Sequence, residues 1–504
     1  MLGTGAPVHA ATPPYETLSV AELHALMERQ ELNAEQLTQY FLARIEALDR
    51  HGPRLNAVIE VNPDALAIAR ALDAQNGPRG PLHGIPVLVK DNIDSADRML
   101  TTAGSLALID SRPRRDAAVV ARLRAAGAVL LGKTNLSEWA NFRGQRSVSG
   151  WSARGGQTLN PWGAGRNPCG SSSGSGAAIA AGLAVLAVGT ETDGSIVCPS
   201  SANGIVGIKP TLGLVSRSGI IPIAASQDTA GPMAHSVADA ALLLQVLAGS
   251  DADDTATRSI PADLAARLAP APAATLKGLR LGVVRNQAGF HGGVDALFEQ
   301  SLQTLADAGA ELVDVKLELP KTVDDDETTI LEYEFKDGLN RYLATRDGGP
   351  KSLAALIAFN DAMAALELPI FGQELFVSSD KRGPLTDAAY RNALARAKRA
   401  TGRDGIDALL KKQRLAALVS PTMGPAWLTD SVLGDHFVGG STSQAPAVAG
   451  YPHVTVPAGL VGGLPVGLSF VGGAWSEPQL IGIAAAFERM AQHLPRPPSP
   501  LAGG

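Results

Sequence analysis

The stretch from Asn167 to Pro210 constrains this chain more than any other. It is rich in Gly, Ser and Ala and almost free of charge. Two polar clusters, Gly170-Ser171-Ser172-Ser173-Gly174-Ser175-Gly176 and Thr192-Asp193-Gly194-Ser195, flank an apolar segment. Glycine beside serine lets the main chain adopt conformations that a side chain forbids, so amide N–H groups can converge on one point. Between the clusters, Ala177 to Leu183 reads as a helix of small residues and Val185 to Val188 as a buried strand. A flexible linker shares the Gly/Ser content but would not carry so apolar a middle. The pattern therefore predicts two rigid serine loops tied to one core.

The rest of the chain can supply that core. Of 504 residues, 45% are hydrophobic and 18% charged, which excludes disorder. The net charge is −6 and no basic run occurs, so neither nucleic acid nor an anionic membrane is an expected partner. No apolar run reaches the ~18 residues of a membrane span. Cys169 and Cys198 are the only cysteines, each beside a serine cluster. Two thiols make no disulfide framework, and they read as small buried packing residues. Val8-His9-Ala10-Ala11 has the small-x-small form of a signal-peptide end but lacks an apolar run before it. It reads as the remnant of a cleaved signal, giving a periplasmic or secreted protein, or as chance, giving a cytoplasmic one.

Capping and periodicity predict helices from Ser19 to Arg29, from Asn33 and from Pro63 to Gln75. A buried strand, Val87-Leu88-Val89, then ends at Lys90. A strand-end lysine is either a solvated cation or a desolvated amine that has become neutral and basic. A helix over 116–126 and a strand over 128–131 follow. Gly127 to Thr134 fits the phosphate-loop pattern GxxxxGK[ST], but a helix precedes it and the variable positions are themselves a strand, so the context argues against a nucleotide. Residues 139–161 read as an ordered loop and 226–232 as a turn-rich segment. Ser236 caps a helix to Leu247. Strands at 279–284 and 311–315 enclose a helix. Long helical patterns follow at 324–346, 351–368 and 385–413. Strands return at 415–420, 454–457 and 466–471, before a last helix over 478–492.

The nine histidines show no metal-ligand spacing, and no GxGxxG follows a strand, so neither a metal nor a dinucleotide cofactor is implied. Gly170-Ser171-Ser172-Ser173-Gly174 formally satisfies GxSxG, which would make Ser172 a nucleophile served by His235, His291, His436, His453 or His493. That turn needs a strand before it, and Pro168 argues against one. A second reading uses lysine as the base. A serine hydroxyl is a weak nucleophile until its proton is accepted, and a neutral buried lysine can accept it through a second serine. Lys90, Ser171 and Ser195 fit those roles, and the amides of Thr192, Asp193, Gly194 and Ser195 could form an oxyanion hole.

These residues resemble the amidase signature family, whose pattern is GGSSGGS, an Ala-rich helix, then GTDTGGSIR. The matching pieces run from Cys169 to Ser175 and from Gly189 to Val197. Further matches are Gly84 to Val87 with Lys90-Asp91-Asn92, Lys133 to Glu138, Asp228 to Met233, and Gly463 to Leu468. The resemblance implies Ser195 as nucleophile, Ser171 as a bridging serine on a cis peptide bond, and Lys90 as base. It implies one α/β domain over residues 1–504, with a large mixed twisted sheet flanked by helices on both faces. Within it, 1–15 would be a flexible segment and 16–80 a helical lead-in. Residues 80–250 would be the signature core, 251–435 a substrate-shaping region and 436–504 the rest of the core. The chain departs from the family pattern at Asp193 for glycine, Glu191 for aspartate, Ser173 for glycine and Val197-Cys198 for Arg-Ile. These variants, with Tyr333 to Lys336, Phe371 to Leu375 and Trp475 to Pro478, resemble the bacterial peptide amidases. The expected reaction is hydrolysis of a peptide's C-terminal amide by a monomer without cofactor, with Asn141 a candidate for holding the substrate backbone. The alternatives are an amidase of small aliphatic or aryl amides, the amidase component of a tRNA-dependent amidotransferase, and a nucleotide binder using Lys133.

Overall fold

Capping chemistry sets the first elements. Ser19 and Glu22 close a reciprocal capping box on α1 (Val20–Glu28), and Asn33 with Gln36 does the same for α2 (Ala34–Arg44). A third helix, α3 (Ala65–Asp73), packs on α2. The computed structural model describes residues 14–76, 79–163, 165–269, 275–437, 439–491 and 497. The signal-like Val8 to Ala11, candidate His493 and the end of the last predicted helix lie outside them.

Eleven strands form one mixed sheet. In chain order they are β1 (Val58–Val61), β2 (Pro86–Lys90), β3 (Val129–Thr134), β4 (Leu186–Glu191), β5 (Val206–Lys209) and β6 (Thr229–Ala234). The remainder are β7 (Arg280–Val284), β8 (Glu311–Val315), β9 (Ala417–Pro421), β10 (His453–Val461) and β11 (Leu464–Val471). Across the sheet the order is β1-β3-β2-β4-β6-β5-β10-β11-β9-β7-β8. Strand β2 sits between two parallel neighbours, β3 and β4, and all five of its residues are buried. This is the expected α/β fold. Helices flank the sheet: α4 (Ala118–Ala125), α5 (Ser173–Ala180), α6 (Val197–Asn203), α7 (Val237–Leu247) and α8 (Gly292–Asp307). Beyond them, α9 (Thr322–Ala344), α10 (Leu353–Ala362), α11 (Ala364–Glu367), α12 (Glu374–Asp380) and α13 (Ala388–Lys398) build a separate helical layer. Its apolar cluster joins Phe335, Leu339 and Phe376 to Trp139 and Phe142. None of the helices among the described residues is long and apolar enough to cross a membrane.

Three local expectations need correcting. The helix predicted from Ala177 begins at Ser173, inside the first serine cluster, and every residue of it is buried. Small residues there let the helix lie against the strands, which overrides their turn preference. The segment read as turn-rich, 226–232, turns only at its start, where the Gln227 and Asp228 amides donate to the Ala224 carbonyl; from Thr229 it is β6, in the middle of the sheet. Its Gly231 serves close packing rather than a turn, because a Cβ there would meet the Ile208 carbonyl oxygen at 2.1 Å. Pairing with β5 stops at Met233, so the missing N–H of Pro232 falls where that ladder has ended. The cysteines are not separate packing residues: Cys169 and Cys198 are joined as a disulfide. The two serine loops converge, which brings together the thiols that stand beside them.

Candidate active site

Lys90 ends β2 with its side chain fully buried. Its Nζ lies 2.7 Å from Ser171 Oγ, 3.0 Å from Ser172 Oγ, 2.9 Å from Thr190 Oγ1 and 3.3 Å from the Thr190 carbonyl oxygen. None of these partners is a carboxylate. Burial drives the amine well below the ordinary lysine range, and the charges of Glu191 and Asp228 only partly oppose this. Two of the hydrogen-bond directions around a neutral amine are then fixed, because the Thr190 carbonyl and Ser172 Oγ can only accept from it. Ser172 Oγ donates to the Thr190 carbonyl at 3.0 Å and accepts from the Thr190 amide at 3.1 Å, so it can only accept from Lys90. Thr190 Oγ1 already accepts from Asn92 Nδ2 at 3.0 Å. A neutral amine has two N–H groups and one lone pair, so with Ser172 Oγ and the Thr190 carbonyl able only to accept, the lone pair is left for a hydroxyl proton, and Ser171 Oγ at 2.7 Å is the nearest.

Ser171 follows a cis peptide bond from Gly170, as the resemblance implies. The Ser172 amide donates to the Ser195 carbonyl at 3.1 Å, and this bond links the two serine loops. The disulfide links them again, from Cys169 beside the first loop to Cys198 in α6. Gly194 has φ +78°, a left-handed conformation in which a side chain would be strained. The Glu191 carboxylate accepts from the amides of Ile196 at 2.7 Å and Val197 at 3.0 Å. The loop is thereby pinned at both ends, with Thr192, Asp193, Gly194 and Ser195 held between. Burial raises Glu191 against the pull of Lys209.

A cavity of 220 Å³ opens onto these loops. Gly170, Asp193 and Gly194 line it, with Asn141, Ser149, Asp435 and Ser443 on polar walls and Val197, Met423, Trp427 and Phe437 on apolar ones. Asn141 is among them as expected, oriented by Ser149 Oγ at 3.1 Å and Ser147 Oγ at 2.7 Å. Asp193 Oδ1 is buried without a hydrogen-bond partner. Burial and the nearby Glu327 carboxylate push Asp193 well above the usual range. A second cavity, of 330 Å³, meets the same loop from Asn92, Thr190, Thr192 and Asp228. Among the described residues no cluster of His, Cys, Asp and Glu is placed to hold a metal ion.

The competing candidates are engaged in other contacts. Ser172 is fully buried and its hydroxyl is committed to Lys90 and Thr190. His453 is buried on β10 with Ser469 as partner, and burial holds its pKa at about 3. His291 caps α8, and His436 bonds the Gly434 carbonyl. Lys133 lies inside β3, bonded to Thr101 Oγ1 and the Ile93 carbonyl, so the phosphate-loop likeness has no loop. Sequence reasoning missed Thr190, although it stands within the second motif. It also missed the loop from Trp427 to Phe437, which carries no motif.

Comparison with known proteins gives the family. The family model for amidases matches residues 36–481. The structure of native peptide amidase from Stenotrophomonas maltophilia superposes with a TM-score of 0.91 at 54% identity, over 96% of this chain and 99% of that one. An Arabidopsis thaliana protein named as a probable amidase is 39% identical over 97% of this chain and 93% of its own length. A glutamyl-tRNA(Gln) amidotransferase component from Salinispora tropica is 36% identical over 94% of this chain and 97% of its own.

Proposed function

The chain belongs to the amidase signature family and is an amidase, and within that family we propose that it hydrolyses the C-terminal amide of peptides to the free acid and ammonia. The observation that carries the chemistry is the buried Lys90 amine, bonded only to hydroxyls and a carbonyl, with Ser171 Oγ at 2.7 Å. Ser195 Oγ attacks the amide carbonyl and passes its proton to Ser171, whose own proton goes to Lys90. The oxygen that becomes anionic is met by main-chain N–H groups of Thr192 to Ser195. The proton returns through Ser171 to the departing nitrogen, which leaves as ammonia. Water then attacks the acyl-enzyme by the same relay and releases the acid.

The substrate class rests on the cavity and on likeness to the Stenotrophomonas peptide amidase. At 220 Å³ the cavity is below the usual ~300–1,000 Å³ of ligand pockets, which suits a chain end better than a whole ligand. Its polar wall, Asn141 and Ser149, suits a peptide backbone. The segments that resemble the bacterial peptide amidases support this wall. Phe335 packs against Phe142 with ring centres 5.0 Å apart, and Phe371 packs against Trp151 at 5.4 Å.

The test is ammonia release from a short peptide amide, a simple aliphatic amide and the unamidated peptide, with Ser195→Ala alongside. Release from the peptide amide, lost by ~10⁴-fold or more in the variant, is expected. Release mainly from the aliphatic amide would move the substrate class, and full activity in Ser195→Ala would overturn the mechanism.

A further inference from the structure

The loop from Trp427 to Phe437 has an outer face that the active-site cavity does not use. Of the ten large apolar side chains exposed among the described residues, four belong to this one loop: Leu428 at 57%, Val432 at 77%, Leu433 at 67% and Phe437 at 51%. Scattered exposed apolar residues need no explanation, but a cluster on one loop does. The loop is not slack. Asp430 Oδ1 accepts from the amides of Val432 at 2.8 Å and Leu433 at 2.9 Å, and the Gly434 amide donates back to the Asp430 carbonyl. Asp435 accepts from the Ser149 amide and from Trp427 Nε1 at 3.3 Å. The Trp427 and Phe437 rings pack 5.6 Å apart. A fixed turn thus holds Val432 and Leu433 outward, while Trp427, Asp435 and Phe437 of the same loop line the cavity.

We infer that this apolar rim, Leu428, Val432, Leu433 and the outer edge of Phe437, receives apolar side chains of the peptide residues that precede the amidated one. The inference rests on the peptide-amide reading and specifies its substrates. At 220 Å³ the cavity suits the chain end, and a peptide that leaves it past Trp427 and Phe437 crosses the rim. Apolar side chains run from Met423 and Trp427 in the cavity to Phe437, whose ring packs on Trp427, and the same loop carries the exposed Leu428, Val432 and Leu433. A peptide lying there keeps its backbone toward Asn141 and Ser149 and its apolar side chains toward the loop. An enzyme built this way prefers peptide amides with leucine- or phenylalanine-like residues before the last position.

The experiment compares two dipeptide amides that differ only in leucine or serine before the amidated residue, together with the single amino-acid amide. The enzymes are wild type and the double variant Val432→Ser/Leu433→Ser, whose changes lie on the exposed face. Partial burial of one leucine side chain favours the leucine substrate in kcat/KM by about tenfold in the wild type. The double variant should lose that preference through a raised KM while keeping its rate on the amino-acid amide. A preference that survives in the variant overturns the proposal, as does an equal loss on all three substrates. If the wild type turns over the amino-acid amide but neither dipeptide amide, the peptide reading itself fails. Sedimentation of both proteins tests another occupant: a wild-type dimer that the double variant abolishes would make the rim a contact between copies and overturn substrate docking.

Discussion

Two buried lysines on neighbouring strands show how one residue type is turned to opposite ends. Lys90 ends β2, and Lys133 stands one residue before the end of β3. In the parallel register Lys90 pairs with Thr134 and Lys133 with Val89, so the two side chains leave opposite faces of the sheet. Both are fully buried. Around Lys133 stand the carboxylates of Asp91 and Asp94, themselves tied to Arg154 at 3.3 Å and Arg346 at 2.9 Å. Burial lowers Lys133, but those charges pull it back. Lys90 is bonded to three hydroxyls and a carbonyl, and burial drives its amine well below the ordinary lysine range. Water is excluded from both sites. What differs is the balance of charge: Asp91, Asp94, Asp97 and Glu60 oppose burial at Lys133, but only Glu191 and Asp228 do so at Lys90, which under the proposed mechanism leaves Lys90 able to take up a proton.

The sharpest way to break this contrast is to replace each lysine by methionine. Lys90→Met should lose ~10⁴-fold or more in peptide-amide hydrolysis. It should also unfold at a higher temperature. A buried amine whose folded pKa lies below its unfolded value binds fewer protons than the unfolded chain between those two values. It therefore costs stability across that window, and the cost shrinks as pH rises toward the ordinary lysine value. Removing the amine removes the cost, a gain on the order of 1 kcal/mol near neutral pH. Lys133→Met should do the reverse. It leaves Asp91 and Asp94 short of a buried positive charge and destabilises by about 3–5 kcal/mol in denaturant titration. A stabilised Lys133→Met or a destabilised Lys90→Met would erase the distinction.

The same contrast explains what could be read from the chain alone. The approach of Lys90 to Ser171 was legible because a strand end and a Gly/Ser loop both leave a signature in sequence. The capped helices at Ser19, Asn33 and Ser236 were legible for a similar reason, since a cap is a local interaction. β6 was not legible: the glycine that marks a turn by propensity is here required by the backbone of β5 across the sheet. Nor were the partners of Lys133. It lies in a perfect phosphate-loop string, yet Thr101, Asp91 and Asp94 come near it only through the fold. The Cys169–Cys198 bond belongs with these, because no local pattern says that two loops 29 residues apart face each other.

That bond ties the serine loops of the Lys90 side and has no counterpart around Lys133. Closing a loop of 29 residues is worth about 3 kcal/mol in chain entropy. The double variant Cys169→Ser/Cys198→Ser should lose about that much stability. Its kcat should fall about tenfold, since reacting groups misplaced by ~1 Å cost rate steeply. Thermal unfolding and ammonia release with and without a thiol reductant would check both effects on the wild type. Unchanged kcat after full reduction would mean that the Ser172–Ser195 main-chain bond alone fixes the loops.

The smallest expected effect tests the charge balance at Lys90 itself. Because Lys90 must be neutral to accept a proton, kcat/KM should fall as pH drops through its pKa in the free enzyme. The Asp228 carboxylate, pushed up to about 6 by burial, raises the Lys90 pKa when ionised. It lines the second cavity beside Thr190 and Thr192, and it accepts from Thr192 Oγ1 and from the amides of Ile223 and Ala224. Asparagine keeps an accepting oxygen there and removes the charge. Asp228→Asn should therefore move the acid limb of the kcat/KM profile to lower pH and leave the plateau nearly unchanged. A limb that moves to higher pH would contradict the sign of the interaction. A limb that stays in place would mean that the hydroxyl cage around Lys90 sets its pKa without help from distant charge.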